Sequence, residues 1–289
     1  MSPGSSTESY PTFARIGLRE NPGKNLNQVT CPDRDLNPGR LVSRPDALTV
    51  TPQSVRGFLK EDRRGKGVEM YSEVTAANSW IANKKGLSTS EWISSLKMTA
   101  NLAAVRSVPG RSLDGTRCRH GCPEIETLAH VLGFCEQGLL LRNSRHHLVR
   151  SKIAAALRNK GWIVEEEISC LAENGSTRRV DILAYNADTK QGIIVDPTIC
   201  FEVECHQSAE VHLEKKSIYE PTVNYFKLKY ALIHVEVFGL LIGARGTIPA
   251  FFEEFRRQFV LPTSLRDDIV IIMLKKSCQI LINHMVPHY

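Results

Sequence analysis

Hydrophobic and polar positions divide the chain into a polar stretch, a helical stretch and a longer region of strands and helices. Residues 1–67 are rich in Pro, Gly, Ser, Asn and Arg, and their apolar positions follow neither a helical nor a strand period. A chain of this composition cannot bury enough apolar surface to form a core. The pattern therefore predicts a disordered N-terminal leader over residues 1–67.

The next stretch, residues 68–112, carries helical patterns. Ser88 and Glu91 have the spacing of a capping box, in which each side chain accepts a hydrogen bond from the other residue's backbone. Ile93, Leu96 and Ala100 fall on one side of the helix that follows, which predicts an apolar face there. A Pro/Gly/Ser run then breaks the pattern before a cysteine-rich segment.

From residue 139 onward the pattern predicts an α/β domain. The predicted elements are a helix over 139–159, strands over 162–170, 179–185 and 192–204, a helix over 212–220 ended by Pro221, a strand over 230–243 and a helix from Ser264 to about residue 284. After the first helix the order is βββαβα. That order is typical of a mixed α/β domain of about 120 residues.

Charge and apolar content limit the class of protein. The 289 residues hold 37 Lys and Arg against 31 Asp and Glu, a net charge of +6 that permits nucleic-acid binding without requiring it. No apolar run approaches the ~20 residues of a membrane span, and the first residues lack the apolar core of a signal peptide. We therefore expect a soluble intracellular protein with no membrane partner.

The predicted helix at 139–159 carries a run of basic residues that no Asp or Glu interrupts. A local excess of positive charge of this kind predicts contacts to the phosphates of a nucleic acid. The residues assigned to this surface are Arg142, Arg145, His146, Arg150 and Lys152. A solvated helix face is the alternative interpretation.

Four residues have the spacing of a metal site: Cys118, Cys122, His130 and Cys135. Three thiolates and one imidazole suit tetrahedral Zn²⁺, and a closed set of four ligands leaves no position for a reacting water, so this zinc would be structural. The segment 113–138 is thus predicted to be a zinc knuckle. Free buried cysteines beside a surface histidine are the alternative, while the first two cysteines have the wrong spacing for a thioredoxin-like redox motif.

Two carboxylates, Asp181 and Asp196, are equidistant from the middle of a polar loop between two predicted strands. If the hairpin has no bulge, the two side chains face each other across about 4.5–5.5 Å, where like charges repel. A cation between them would relieve the repulsion, and oxygen ligands suit Mg²⁺. Lys215 and Lys216 lie on the helix that follows, and either could serve the same site; Tyr219 is one helical turn beyond Lys215.

Each of these residues has a simpler interpretation when taken alone. Asp181 could cap a strand end, Asp196 could form a turn before Pro197, and Lys215 could lie on a solvated helix face. Their order behind a predicted zinc site favours a nucleic-acid-cutting module. No role is assigned to three further acidic residues, which are Glu166, Glu167 and Glu202.

The segment from about residue 79 to 230 resembles a known family through five motifs taken together. They are CRHGCPEIETLAHVLGFC at 118–135, Arg145-His146, RRVDILAY at 178–185, IIVDPTI at 193–199 and EKKSIY at 214–219. The segment resembles the C-terminal part of the Pol protein of early-branching, site-specific non-LTR retrotransposons of insects, whose prototype inserts into ribosomal DNA. In that family a Cys-Cys-His-Cys knuckle precedes a restriction-like endonuclease.

The resemblance implies a fold for residues 139–289: a PD-(D/E)xK restriction-endonuclease-like mixed sheet with flanking helices, behind the knuckle. It places the family's catalytic residues at Asp181, Asp196, Lys215 and Tyr219, with Mg²⁺ or Mn²⁺ held by the two aspartates. Two positions depart from the pattern. Val180 stands where the family usually has proline, and Thr198 stands where the simple superfamily pattern has the lysine.

The resemblance also implies a function. We expect a nuclear endonuclease fragment that nicks target DNA at the start of element insertion, with DNA as its main partner, RNA as a second one, and a reverse-transcriptase-bearing retrotransposon protein as a third. No Tyr-x-Asp-Asp polymerase motif occurs in the sequence. An inactive remnant that only binds nucleic acid through its zinc knuckle is the alternative.

Overall fold

A computed structural model describes residues 66–112 and 115–286 of the chain. The leader predicted over residues 1–67 lies outside the described residues except for its last two. The α-helices are α1 Trp80–Asn83, α2 Thr89–Thr99, α3 Leu128–Gly133, α4 Leu139–Arg158, α5 Gln207–Tyr219, α6 Val223–Tyr230, α7 Ala250–Gln258 and α8 Thr263–Met285. The strands are β1 Ile163–Leu171, β2 Thr177–Asn186, β3 Gln191–Cys200 and β4 His234–Gly243. Short 3₁₀ turns lie at Val68–Ser72, Thr75–Ser79, Glu136–Gly138 and Glu220–Thr222.

The four strands form one mixed sheet in the order β1-β2-β3-β4, with helices packed against it. The first three strands are antiparallel, whereas β4 runs parallel to β3. A parallel pair needs a long crossover, and α5 and α6 supply it. The prediction of a mixed α/β architecture is therefore confirmed.

The turn between β2 and β3 fixes the register of the hairpin. Asn186 Oδ1 accepts hydrogen bonds from the backbone N–H groups of Asp188 and Thr189, at 2.9 and 3.0 Å, so one side chain organises the turn. Ile182 pairs with Val195 in the resulting ladder. Asp181 and Asp196 are the next residues beyond this last pair of the ladder, so the hairpin has the register that the symmetry of the sequence predicts.

Core residues of β2 and β3 contribute to two clusters. Ile182 and Val195 belong to a large cluster with residues of α4, α7 and α8, whereas Leu183 and Ile194 belong to a second cluster with Phe226 of α6. Alternate residues of a strand point to opposite faces, which explains why neighbours in sequence join different clusters. The central strands are thus buried on both sides.

The capping box at the start of α2 is confirmed. Ser88 Oγ accepts from Glu91 N at 3.2 Å, and the Glu91 carboxylate accepts from Ser88 N at 2.7 Å. The predicted apolar face of this helix is confirmed only at Leu96, which packs against the large core cluster, whereas Ile93 is 41% exposed and Ala100 is also exposed. The helix packs on α8 through the side that carries the fully buried Met98.

Strand β3 ends at Cys200 and not near residue 204 as predicted. The side-chain amide of Gln207 replaces strand pairing there: its Oε1 accepts from Val203 N at 3.1 Å and its Nε2 donates to Phe201 O at 3.0 Å. Because a side chain satisfies these backbone groups, the chain can leave the sheet without orphaned polar atoms.

Helical structure is more extensive after β3 than the sequence predicts. The predicted helix does end before Pro221, since α5 stops at Tyr219 and Pro221 lies in the 3₁₀ turn that follows, but a further helix, α6, continues to Tyr230. Helix α7 is an additional element. The N-cap of helix α8 is Pro262, so the predicted cap at Ser264 is two residues late. Within the described part of the chain, no helix combines the length and apolar character needed to cross a bilayer.

Candidate functional site

The four predicted zinc ligands converge. Cys118 and Cys122 flank a tight turn in which Gly121 has a left-handed φ of 81°, His130 lies on α3, and Cys135 follows that helix. Their ligand atoms all lie within 4.8 Å of one another, and Cys135 Sγ is 3.9 Å from the sulfurs of both other cysteines. This Cys/His cluster can hold a metal ion such as zinc.

The chemistry of the donor set fits a metal. Both ring nitrogens of His130 are buried without a hydrogen-bonding partner, so the alternative of a surface histidine is wrong. Burial lowers the pKa of His130 and raises the pKa of Cys135 to about 12, which keeps the metal-free groups neutral. A zinc ion binds neutral imidazole and displaces thiol protons, and it would satisfy all four groups together.

Glu126 is a buried residue of this region to which the sequence analysis gave no role. Its carboxylate accepts from Arg119 Nη2 at 2.6 Å, from Arg119 N at 2.9 Å and from Arg106 N at 3.0 Å. The His284 ring of α8 is also 3.2 Å away. Burial disfavours the charged carboxylate, but these donors outweigh it and hold the pKa of Glu126 at about 2. Glu126 therefore organises the loop that carries Cys118.

Arg142 and Arg145 do not form a nucleic-acid-binding surface, because both are buried. Arg142 Nη1 donates to the Cys135 carbonyl. Arg145 donates from Nη2 to the Leu132 carbonyl at 3.0 Å and from Nη1 to Ser277 Oγ at 2.8 Å. Burial lowers the pKa of Arg145 to about 9. The two arginines thus attach α4 to the end of the knuckle, and the prediction that they contact nucleic acid is wrong.

Arg150 is also buried, and its predicted contact with nucleic acid is wrong for the same reason. It pairs with Glu166 at 3.1 Å and with Glu167 at 2.5 Å on the neighbouring strand β1. Hydrophobic periodicity assigns arginine to the exposed side of a helix, whereas a guanidinium can be buried when acceptors surround it. Lys152 is exposed and pairs with Asp268 at 2.9 Å, so its nucleic-acid role stays a prediction.

His146 lies among the carboxylates and not on a basic surface. Its Nε2 is 2.9 Å from the Pro197 carbonyl and 3.1 Å from Asp181 Oδ2. Burial disfavours the charged imidazolium, but the Asp181 carboxylate outweighs burial and raises the pKa of His146. This imidazole therefore joins α4 to β2 and β3 where the two aspartates lie.

Asp196 is fully supplied with hydrogen-bond donors. It is 1% exposed, and its Oδ2 lies 2.8 Å from Tyr219 Oη and 3.2 Å from Lys215 Nζ. Thr198 Oγ1 donates to the other oxygen at 3.2 Å. Burial and the Asp196 charge raise the pKa of Tyr219, which stays a neutral donor. Two residues one helical turn apart on α5 thus contact one carboxylate, as their spacing predicts.

Asp181 has fewer donors than Asp196. No directed hydrogen bond reaches its buried Oδ2 atom: His146 Nε2 lies 3.1 Å away as an ion-pair partner, but its N–H is directed at the Pro197 carbonyl. A buried carboxylate oxygen without a donor is destabilising, and a cation would satisfy it. Within residues 66–112 and 115–286, no third His, Cys, Asp or Glu ligand atom joins the two aspartates in a compact metal-binding group. The aspartate pair could therefore supply at most two ligands to a divalent ion, and the others would come from water and phosphate.

The acidic residues without an assigned role form ion pairs. Glu166 and Glu167 pair with arginines of α4 and β2. Glu202 is fully buried and binds Arg245, which is also fully buried, at 3.0 Å. Further donors to the Glu202 carboxylate come from Thr247. These buried contacts give Glu202 a structural role.

No protein-family model matches the chain. The chain is 28% identical over 192 residues to a Retrovirus-related Pol polyprotein from type-1 retrotransposable element R2 of Popillia japonica, an alignment that covers 65% of this chain and 39% of the relative. A second R2 Pol polyprotein of the same organism is 32% identical over 158 residues, covering 54% of this chain and 22% of the relative. The Pol polyprotein of the type-2 element R2DM of Drosophila melanogaster is 24% identical over 183 residues, covering 62% and 16%.

These similarities confirm the predicted resemblance to R2-type Pol proteins of insect non-LTR retrotransposons, and they support a retrotransposon-derived protein. The chain spans about two fifths of the length of the first relative and a smaller share of the other two.

Proposed function

We propose that the chain is a divalent-metal-dependent DNA endonuclease fragment that nicks target DNA for insertion of a retrotransposon. The observation that carries the proposal is the composition of one buried site: Lys215 Nζ and Tyr219 Oη contact Asp196, while Asp181, one residue beyond the last β2–β3 pair, has an Oδ2 that no directed hydrogen bond reaches. A structural ion pair does not require the second carboxylate. A cation site can use both, because Mg²⁺ is held by one or two carboxylates together with water and phosphate.

Asp181 and Asp196 would hold the Mg²⁺ or Mn²⁺ ion. When bound, such an ion lowers the pKa of a coordinated water and stabilises charge on the scissile phosphate. The Lys215 ammonium would place a positive charge beside the phosphate or the attacking water. Tyr219 and Thr198 orient Asp196 by donating to its two oxygens, and His146 limits the movement of Asp181.

The element order supports a PD-(D/E)xK arrangement for this domain. Of the three antiparallel strands, β2 carries Asp181 and β3 carries Asp196. Helix α5 follows and carries Lys215, and β4 then pairs in parallel with β3. Thr198 occupies the position where the simple superfamily pattern has lysine, and its hydroxyl binds Asp196. The ammonium reaches the same carboxylate from α5, so the charge is supplied from a different element.

The Cys/His cluster would bind a structural zinc ion. The relatives of the chain are Pol polyproteins. We therefore propose DNA, RNA and a reverse-transcriptase-bearing retrotransposon protein as partners, and the nucleus as the place of action. Because the three buried arginines of α4 cannot contact phosphate, exposed cations such as Lys152 and Lys216 are the candidates for that contact. Phosphate contacts would supply affinity and not base specificity.

Supercoiled plasmid tests the proposal. Wild-type protein with Mg²⁺ or Mn²⁺ should convert it to the open circular form, and excess EDTA should stop the reaction. Asp196→Asn should abolish nicking and leave DNA affinity intact, since it removes a metal ligand with little change in shape. Cys205→Ser, at an exposed cysteine outside the cluster, is the matched control and should nick like wild type. Unimpaired nicking by Asp196→Asn would refute the assignment.

One observation favours a second candidate, an inactive module that only binds nucleic acid. Asp196 is 1% exposed and Asp181 is 5% exposed, so a phosphate must enter a site that the described residues nearly close. The plasmid assay separates the candidates. DNA binding without nicking in either metal supports the remnant, whereas metal-dependent nicking excludes it.

A further inference from the structure

A glycine in the middle of β4 adjoins the proposed site. Gly239 is in register with Asp196 across the parallel β3–β4 pair, and its sequence neighbours Phe238 and Leu240 are large and buried. Glycine inside a strand lowers stability and marks a bulge or a close approach. The ladder is continuous here and Gly239 does not have a positive φ, so backbone conformation does not demand glycine. Close approach does.

The structure that approaches Gly239 is the stem of Lys215. A Cβ atom at position 239 would lie 2.7 Å from Lys215 Cβ, 2.8 Å from Lys215 Cγ and 2.9 Å from the Val211 carbonyl oxygen. All three distances are below 3.0 Å, which real Cβ atoms essentially never show. These atoms belong to the backbone and inner side chain of α5, so they cannot rotate away as a flexible tip can.

The same approach brings the ammonium to the carboxylate. The Lys215 side chain is 2% exposed, and its Nζ reaches Asp196 Oδ2 at 3.2 Å. The backbone N–H of Gly239 also donates to His212 Nδ1 of α5 at 3.4 Å. A larger residue at 239 would lift α5 from the sheet at the point where Lys215 crosses it.

We propose that Gly239 is a positioning residue for the proposed nuclease: its missing side chain forms the slot through which Lys215 reaches Asp196 from a helix. The inference rests on the proposed function. It explains how a lysine that is absent from β3 can act at the same carboxylate. A lysine on the helix needs the helix to lie unusually close to the sheet, and glycine opposite the aspartate permits that.

Gly239→Ala tests the slot, with Gly192→Ala as its control. Gly192 lies in β3, and a Cβ there would meet Leu232 Cδ1 at 2.8 Å, the end of a flexible side chain. Both variants add one methyl group to the same sheet, but only the first meets Lys215. At saturating DNA and metal, Gly239→Ala should nick about 100-fold more slowly, since a displacement of about 1 Å can lower a rate that much. DNA affinity should stay at the wild-type value, and Gly192→Ala should keep the wild-type rate.

Lysine acetylation gives a readout that does not depend on activity. In wild type, Lys215 should resist acetylation while its exposed neighbour Lys216 reacts, and mass spectrometry can follow both. In Gly239→Ala, acetylation of Lys215 should approach that of Lys216, whereas Gly192→Ala should leave Lys215 protected. A folded Gly239→Ala protein with protected Lys215 or a wild-type nicking rate would overturn the inference.

A double-mutant cycle covers the case in which Gly239→Ala folds poorly. Lys215→Gly removes both Cβ and Cγ, the two nearest colliding atoms, so the fall in melting temperature caused by Gly239→Ala should be smaller in that background. An equal fall in both backgrounds would overturn the slot. If wild type itself does not nick DNA, the proposed function fails, and acetylation and the cycle still decide whether Gly239 positions Lys215.

Discussion

The Cys/His cluster and the carboxylate site are both buried, but their polar groups are satisfied in different ways. In the cluster, both His130 nitrogens are without a partner and three thiols crowd together. In the carboxylate site, Asp196 has three donors and the deficit is confined to Asp181. The first region is incomplete without an added ion. The second can fold without one, because Lys215 pairs with the charge of Asp196, and Tyr219 and Thr198 donate hydrogen bonds to it.

Loss of a cluster ligand should have the largest effect. Cys135 is fully buried, and Cys135→Ser should eliminate bound metal and unfold the knuckle, because structural zinc binding contributes about 10–16 kcal/mol to folding in zinc-finger peptides. Elemental analysis and a melting curve measure both. Cys205→Ser should retain one equivalent of zinc. Folded, metal-free Cys135→Ser protein would show that the cluster does not depend on an ion.

Arg145→Met should lower stability by roughly 3 kcal/mol, since it leaves the Leu132 carbonyl and Ser277 without their donor in a buried position. Urea unfolding measures this. Lys152→Met on the exposed side of the same helix should change stability by less than about 0.5 kcal/mol. Equal, small losses of stability in the two variants would contradict the burial of Arg145 among its acceptors.

The two aspartates should respond differently to neutralisation. Asp196→Asn should lower stability by about 1–3 kcal/mol, because its partners include a buried ammonium. Asp181→Asn removes a carboxylate whose ion-pair contact is with His146, so above the His146 pKa it should cost less stability than Asp196→Asn, although it should abolish nicking. Urea unfolding without added divalent metal compares them. Equal destabilisation would contradict the asymmetry of the pair.

The smallest effect should be a pH dependence at His146. Its pKa is raised in the folded chain, so its contribution to stability is complete below the unfolded value of about 6.5 and disappears as pH rises through the folded value. His146→Gln should remove this part of the pH profile of unfolding. His147→Gln, at a more exposed neighbour, should keep it. Identical profiles for the two variants would exclude the effect.

Local spacing in the sequence was enough to predict the most regular parts of both regions. Four Cys and His residues at short spacing identified the cluster. The symmetry of Asp181 and Asp196 about a polar loop predicted the hairpin register, because residues equidistant from the turn pair in a hairpin without a bulge. The i, i+4 relation of Lys215 and Tyr219 placed both on one side of α5.

The failures share a physical cause, which is that burial depends on partners distant in sequence. Arg145 is buried because acceptors from α3 and α8 surround it, and periodicity within α4 cannot show them. Gly239 carried a detectable signal, a glycine inside an apolar strand, but its meaning depends on a helix that crosses it.

Helix α4 has a consequence for the order of events during biosynthesis. Within little more than one turn, Arg142 and Arg145 hold carbonyls at the end of the knuckle, and His146 reaches Asp181. A newly made chain whose Cys/His cluster lacks an ion would not hold those carbonyls in fixed positions, and α4 would lose the contacts from which it places the imidazole beside Asp181. Under the proposed function, metal uptake at the cluster would then precede completion of the carboxylate site.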